Sequence, residues 1–529
     1  MQALTASVQS PAAYAAALRN YRYKRTPAEI LAGLTAADIV KGFDPGDIRR
    51  YGGDADADGA TNYAAMVAAL ASGPRLIIPC DDPSWVFDFD TTLEVSGDKS
   101  IVGGFGGSQA ALLSKVNYTG AGIPFEFLSA EYGAVYMGYL EIRGGDGSWA
   151  ISSSRPQSLF EFIHMESYVG SGIQLLDTGT GSWSTAMRNC KWVGPASQTA
   201  YRGYEIDVNG GQVLGENLVA IRGDIGIHVI RCEALLLLRP STNIQISDYS
   251  SSTAADGQCG IRLSGADAKR AVRIMSGYIE GSTTQIYVES AECLSIVDCF
   301  MDDLGNGGTA DIYLKDSNVK NATIRGNYIR TRTNLKAAIE NNGLYTRVDD
   351  NSIDAQAGPW LKTTTKVLYS RNQIVDGTLD DASGYAHDME PQSGTWTPTF
   401  AGSGTAGVNT YGTQYGRWWK IGRRVFYEFL VAMTAKGTAG SAMAGNVAIE
   451  GLPFAVPSYA SAAGGLAIAS YDNINLDGAG GRTALTGVIK TNSTQILLLQ
   501  VGDNVASSAL TVGELNDTSG LRGSGSYDI

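Results

Sequence analysis

Histidine is nearly missing from this chain. His164, His228 and His387 are the only three, so chemistry that needs an imidazole base or a histidine-built metal site has few places to sit. Cysteine is also sparse: Cys80, Cys190, Cys232, Cys259, Cys293 and Cys299 include no C-x-x-C pair, and zinc spacing is absent. Several of them replace apolar residues in strand-like segments and read as small buried hydrophobes rather than a disulfide set. Charged residues make up only 18%, with a net charge of −13, which argues against a nucleic-acid partner whose phosphates require a basic face. An acidic protein can still hold a glycan on a local basic strip. The longest strongly apolar run is ALLLL at 234–238, far below a membrane span. The first residues, MQALTASVQSPAAYAAALRN, lack a basic start followed by an apolar core, so neither a secretion signal nor membrane insertion is expected.

Glycine is what the chain has in excess, at 65 of 529 residues against 15 prolines. With many β-branched residues and little charge, this composition predicts an all-β protein rich in turns, divided into two or three domains. Residues 1–45 differ, being Ala-rich and partly helical; TPAEILAGL (26–34) offers a Thr cap, Pro at the first helical position and Glu at the third. A strand, an acidic loop, a helix over roughly 61–71 and a buried strand ending at Pro79 follow. The loop DADADG could hold Ca²⁺, but the twelfth position from Asp54 is Ala65 rather than the bidentate Glu such a loop uses, so a solvated turn and no metal are expected. GGFGG (103–107) lacks a following Lys-Ser/Thr and a helix, and reads as a tight β corner rather than a phosphate loop.

The middle of the chain repeats. GIRLSGADAKRAVRIMSGYIEG, QIYVESAECLSIVDCFMDD, DIYLKDSNVKNATIRGNYIR, AIENNGLYTRVDDNSID and WLKTTTKVLYSRNQIVDG align on Ile261, Ile286, Ile312, Ile339 and Trp360, in steps of 25, 26, 27 and 21 residues. Looser copies start near Ile173, Ile206 and Ile227. A period in the twenties with short strands and no helices is the signature of a β-solenoid, and no Leu/Asn framework of a leucine-rich horseshoe is present. Each copy turns a corner in which Gly or Asn is expected to take a left-handed backbone. Ile279, Met301, Ile329, Ile353 and Ile374 should point inward after that corner. Their successors Glu280, Asp302, Arg330, Asp354 and Val375 should then form an outward column, because stacked coils place equivalent residues one strand spacing apart. Past Gly384 the period stops. SGTWTPTF and the strand-like runs at 422–433, 446–454, 464–470, 483–490 and 494–501 indicate a β-sandwich over 386–529.

Two stretches carry a family resemblance over roughly 45–529. DIRRYGGDADADGATNYAAMVAAL (47–70) resembles the opening of pectate-lyase-like phage tailspikes and capsule or O-antigen depolymerases, in which a helix caps the solenoid. It departs from them in having Thr61-Asn62-Tyr63 where acidic residues often follow the loop. SGTWTPTF with YGRWWKIGRRVFYEFLVAM (415–433) is similar to C-terminal modules of phage tail fibres and spikes. The resemblance implies a right-handed parallel β-helix over 46–385, a homotrimer, a place in the virion tail, and endo-cleavage of a bacterial surface polysaccharide. Residues 1–45 would then attach to a tail or baseplate adaptor, and 386–529 would trimerise the chain or add carbohydrate recognition.

Glycosidic hydrolysis needs an acid and a second carboxylate, about 5–5.5 Å apart for retention or about 6.5–9.5 Å for inversion. Glu280 and Asp302, on adjacent coils, are the candidate pair; like charges so close should raise the pKa of one and supply the proton. Arg330, Asp354 and Tyr328 are the candidate substrate contacts, and no cofactor is called for. A solvated charge ladder is the plain alternative. Glu161, Glu166, Glu205, Asp207, Asp224 and Asp303 compete without a pairing argument. A lyase would instead need a base such as Tyr328 or Arg330, since His164 and His228 lie in strand patterns and His387 in the inter-domain linker. Trp149, Trp183, Trp192, Tyr201 and Tyr204 could stack on sugars or fill the core. A non-catalytic receptor-binding fibre of the same architecture is a further reading.

Overall fold

In each repeat, runs of three to seven residues alternate apolar and polar, too short for a helix and right for a strand with one buried face. Each run pairs in parallel with the run one repeat later, so a single period in sequence becomes a stack in space. This is seen in a computed structural model, which describes residues 26–31, 33–34, 43–82, 84–104, 113–128, 134–176, 183–195, 201–244, 258–265, 269–303, 308–332, 336–381, 386–389, 391–437, 442–456, 464–477, 480–489 and 491–529. The chain divides into two compact units, the first running to Val367 with Arg371–Ala386 and the second covering Leu368–Ser370 with His387–Ile529.

The first unit is a parallel β-solenoid with three strands per coil. One sheet stacks Ala234–Leu238, Ala271–Met275, Leu294–Val297 and Ala322–Arg325; a second stacks Tyr278–Glu280, Phe300–Asp302 and Tyr328–Arg330; a third stacks Cys259–Leu263, Thr284–Val288 and Ala310–Leu314. The repeat alignment matches the register through Ile261, Ile286, Ile312 and Ile339. It fails by one residue at the end, where Ile339 pairs with Leu361 rather than Trp360 because the strand Ser352–Thr363 is irregular and Gln356 is left-handed. It fails by two in the looser copies, where Tyr204 rather than Ile206 pairs with Ile173 and Ile227. Ile206 is also fully buried, so alternation alone could not tell the two apart.

The capping helix runs Gly59–Ser72, two residues earlier than expected, because Asp58 caps it by accepting the Thr61 N–H at 2.7 Å. Ala65, Met66, Ala69 and Leu70 face inward and close the core of the first coil. The short helix Pro27–Leu31 shows the expected capping box, Glu29 N–H to Thr26 Oγ1 at 3.1 Å and Thr26 N–H to Glu29 Oε2 at 2.5 Å. It is not a detached piece. Glu29 also meets Arg50 Nε at 2.5 Å, with both side chains fully buried, so this part of the N-terminal segment is tied to the first coil. Of GGFGG, only Gly103 and Gly104 lie within the described residues. No disulfide joins the six cysteines, and five of them are buried.

The second unit is one ten-stranded antiparallel sheet rather than two separate layers. It curls around a single core in which Trp396, Phe429, Val431, Leu466, Leu498 and Tyr527 meet. One of its interior strands is Leu515–Asp528, whose Gly- and Ser-rich sequence gave no strand signal. A Cβ at Gly525 would collide with the Gly465 carbonyl, and one at Gly523 would come within 2.6 Å of Leu466 Cδ1. The missing side chains let neighbouring strands close in.

Candidate functional site

From Tyr139 to Arg371 the corner that opens the second sheet is built by a left-handed residue on each coil. Tyr139, Phe162, Asn189, Asn217, Arg239, Ser276, Asp298, Gly326, Asp350 and Arg371 all have φ between 51° and 66°. The asparagine of the repeated motif does something else, which corrects the sequence expectation. Asn327, Asn351 and Asn372 each follow the left-handed residue and turn inward as a hydrogen-bonded ladder. Asn351 Oδ1 accepts from the Asn327 backbone N–H at 3.0 Å and from its Nδ2 at 2.9 Å, while Asn351 Nδ2 donates to the Ile324 carbonyl at 3.0 Å and to Asn372 Oδ1 at 2.9 Å. The amide side chain satisfies backbone groups that the bend takes out of the strand ladder. Cys299 holds the same position one coil earlier, taking the Gly277 N–H on Sγ at 3.4 Å.

Outside the corner, the expected column is present. Register pairs Glu280 with Asp302, Asp302 with Arg330, and Arg330 with Asp354. Asn243 precedes it opposite Glu280, and Asp376 rather than Val375 follows Asp354, because the register shifts between Ile353 and Asp354. Ile279, Met301, Ile329 and Ile353 point inward and are fully buried, whereas Ile374 is only partly so. Glu280 accepts from Asn243 Nδ2 at 2.5 Å and Tyr278 Oη at 2.8 Å. Asp302 points outward yet is 4% exposed, because Arg332 forks onto both its oxygens at 2.8 and 2.6 Å. Arg330 reaches Asp354 only at 3.8 Å, beyond a hydrogen bond, and its side chain is half-buried.

A second column runs beside the first, two residues earlier on the same strands. Tyr278, Phe300 and Tyr328 stack face to face, with centroids 5.0 and 5.2 Å apart and planes within 5° and 8°. Tyr278 is 46% and Tyr328 37% exposed, so these rings are a surface feature rather than core. Tyr328 was singled out from sequence; Tyr278 and Phe300 were missed. The signal that finds them is the aromatic residue just before each inward Ile, Met or Ile of SGYIE, DCFMD and GNYIR.

The competing carboxylates are mostly committed to cations. Glu166 bonds Lys191 at 2.7 Å, Asp207 pairs with Arg231, and the fully buried Asp303 lies 3.5 Å from Lys336. Glu161 lies 3.5 Å from the Tyr136 hydroxyl. Glu205 and Asp224 are shifted in opposite directions. Burial opposes charge on Glu205, but hydrogen bonds from His228 and Gln174 and the charge of Arg202 outweigh it and bring its pKa down to about 2. Burial pushes Asp224 up to about 6, against the pull of Arg202 and Arg262. His164 is lowered by burial and lies 3.8 Å from Glu166. Trp192 and Tyr204 are fully buried and fill the core, which removes them as stacking surfaces; Trp149 and Tyr201 are partly exposed. Nothing is described of the side chains of Trp183 and His387. Among the described residues no group of three or more metal-ligating side chains is placed to hold an ion, and Asp58 of the acidic loop serves as a helix cap.

No family model and no curated protein matches the chain. Solved structures do. The Dettilon tailspike protein gp208 is 12% identical, covering 90% of this chain and 92% of that one, with a TM-score of 0.40. A mutant tailspike of E. coli bacteriophage HK620, in complex with a pentasaccharide, is 10% identical, covering 90% of each chain, at 0.33. The tailspike gp49 of Acinetobacter baumannii bacteriophage Fri1, a capsular polysaccharide depolymerase, is 9% identical, covering 94% and 87%, at 0.30. The chain is similar to phage tailspikes. At that distance no site can be carried over, and function has to be argued from this chain's own residues.

Proposed function

We propose that the protein is a phage tailspike that binds a bacterial surface polysaccharide along the corner strands and cleaves it by glycosidic hydrolysis. One observation supports this most: an exposed aromatic ladder lies in register beside a column of carboxylates and a cation. Rings stacked about 5 Å apart along the axis offer a continuous platform for sugar faces. Glu280 and Asp302 stand one strand spacing apart, about 4.8 Å at the backbone, which suits the short carboxyl separation of a retaining enzyme. Asp302, gripped by Arg332, is the nucleophile or base, and Glu280, held by neutral donors, is the acid. Arg330 and Asp354 grip the substrate. The chain acts as a homotrimer on the virion tail, attached through its N-terminal segment to a tail or baseplate adaptor. Leu159, Ala186, Leu214 and Leu236 line a shallow apolar groove on the open face of the first sheet, a surface that further copies would cover.

The test is incubation with host polysaccharide followed by sizing of the products. Shortened chains without an ultraviolet-absorbing double bond support hydrolysis; such a bond at the new non-reducing end means elimination. A second reading, a binding fibre that does not cut, is favoured by the full hydrogen bonding of Glu280 and Asp302. Intact polymer with retained binding would establish it. Light scattering that finds a stable monomer would remove the trimer.

A further inference from the structure

The third sheet carries its own outward column, and part of it is chemically specific. Gln174, Glu205, His228 and Arg262 stand on successive coils in register. His228 Nδ1 lies 3.1 Å from Glu205 Oε2, and His228 Nε2 lies 2.7 Å from Ser264 Oγ. Glu205 is 5% and His228 6% exposed, whereas Ser264 is partly open to solvent. The carboxylate is fixed from its other side by Gln174 Nε2 at 2.8 Å and by Arg202. An ionised Glu205 can only accept, so His228 Nδ1 carries the proton and Nε2 is left to accept from the serine hydroxyl.

We propose that Ser264, His228 and Glu205 are the nucleophile, base and orienting acid of a carboxyl-ester hydrolase. The roles follow from geometry, with the base in hydrogen-bond reach of the nucleophile and the third group setting its tautomer. The serine is held rigidly: its N–H donates to the Val229 carbonyl at 2.9 Å, and Lys269 Nζ donates to its own carbonyl at 2.5 Å. Arg262, two residues before Ser264 and beside His228 in register, borders the site with its guanidinium 3.3 Å from Glu289 Oε1. In the reaction Ser264 Oγ attacks the ester carbonyl carbon as its proton passes to His228 Nε2. The C–O bond to the alcohol breaks, and the alcohol leaves with that proton. Water, deprotonated by His228, then cleaves the acyl-serine, releasing a carboxylic acid and restoring the serine. A glycosidic acetal has no carbonyl, so this site acts on a different bond from the corner column. O-acyl groups are the form in which a glycan presents such an ester; that clause rests on the function proposed above, and the triad itself does not.

The test uses the full-length protein with p-nitrophenyl acetate and with a fluorophosphonate probe. Wild type should hydrolyse the ester at least about 10³-fold faster than Ser264→Ala, which removes one partly exposed hydroxyl, and the probe should label Ser264 as located by mass spectrometry. Glu205→Gln should lower kcat by about 10³–10⁴ with KM little changed, because the wrong tautomer is then held. Labelling that leaves Ser264 untouched, or hydrolysis by Ser264→Ala equal to wild type with an unchanged melting temperature, would overturn the proposal. A small ester makes the result independent of whether Glu280 and Asp302 cut the polymer.

Discussion

The inner and outer sides of the same corner strands differ in what polar groups are for. Inside, Asn327 and Asn351 are fully buried and Asn372 is half-buried, and their side chains bond to backbone groups of neighbouring coils and to one another. Outside, Tyr278 and Tyr328 are exposed and Glu280 and Arg330 half-buried, and these groups are only partly committed to each other. One three-residue strand supports both, because alternate side chains leave it on opposite faces. A polar residue inside such a strand is therefore read as structure and one outside as chemistry. Asp302 sits between the two cases, outward in direction but covered by Arg332.

The widest separation of the two sides should come from activity. Glu280→Gln and Asp302→Asn should each lower the rate of polymer cleavage at least a hundredfold, within the range of about 10²–10⁴ for positioned acid–base groups. Glu280→Gln should leave the melting temperature nearly unchanged. Wild-type cleavage by both variants would return the column to a plain charge ladder. Inside, the opposite pattern is expected. Asn351→Ala takes partners from the Asn327 N–H and the Ile324 carbonyl of the preceding coil and should cost about 3 kcal/mol in denaturant unfolding, from penalties of about 1–3 kcal/mol per unsatisfied group, with kcat retained in the folded fraction.

Asp224 sharpens the comparison, since its carboxyl is partly buried. Its folded pKa of about 6 lies above its ordinary 3.8, so between those values the folded protein holds a proton that the unfolded chain has released. Its contribution to stability therefore falls as pH rises through that window. Asp224→Asn removes the loss, and its gain in melting temperature over wild type should be larger at pH 7 than at pH 4. An equal gain at both would show that burial there is not charged against the ionised form. The smallest effect is expected from Tyr328→Ala, which removes one ring of the ladder. Oligosaccharide binding should weaken roughly three- to tenfold, as aromatic contacts worth about 0.5–1.5 kcal/mol imply, with little change in stability. Unchanged binding would move the sugar platform elsewhere.

Local sequence determined the solenoid, its period and the outward order Glu280, Asp302, Arg330, Asp354, because a strand alternates and a stack repeats; both are one-dimensional rules that pattern can express. The ends of the pattern, at Trp360 and Val375, went astray where an irregular strand shifts the count without marking the sequence. The asparagines were visible but misread: their preference for left-handed backbone is a local property, whereas the ladder needs a neighbour on the next coil. What only the tertiary structure decided is which residues far apart in the chain meet. Arg332 over Asp302, Glu29 against Arg50, and Ser264 against a histidine one coil and 36 residues away depend on side-chain direction and burial. No local pattern records those, because the groups that create each contact are separated by whole turns of the solenoid.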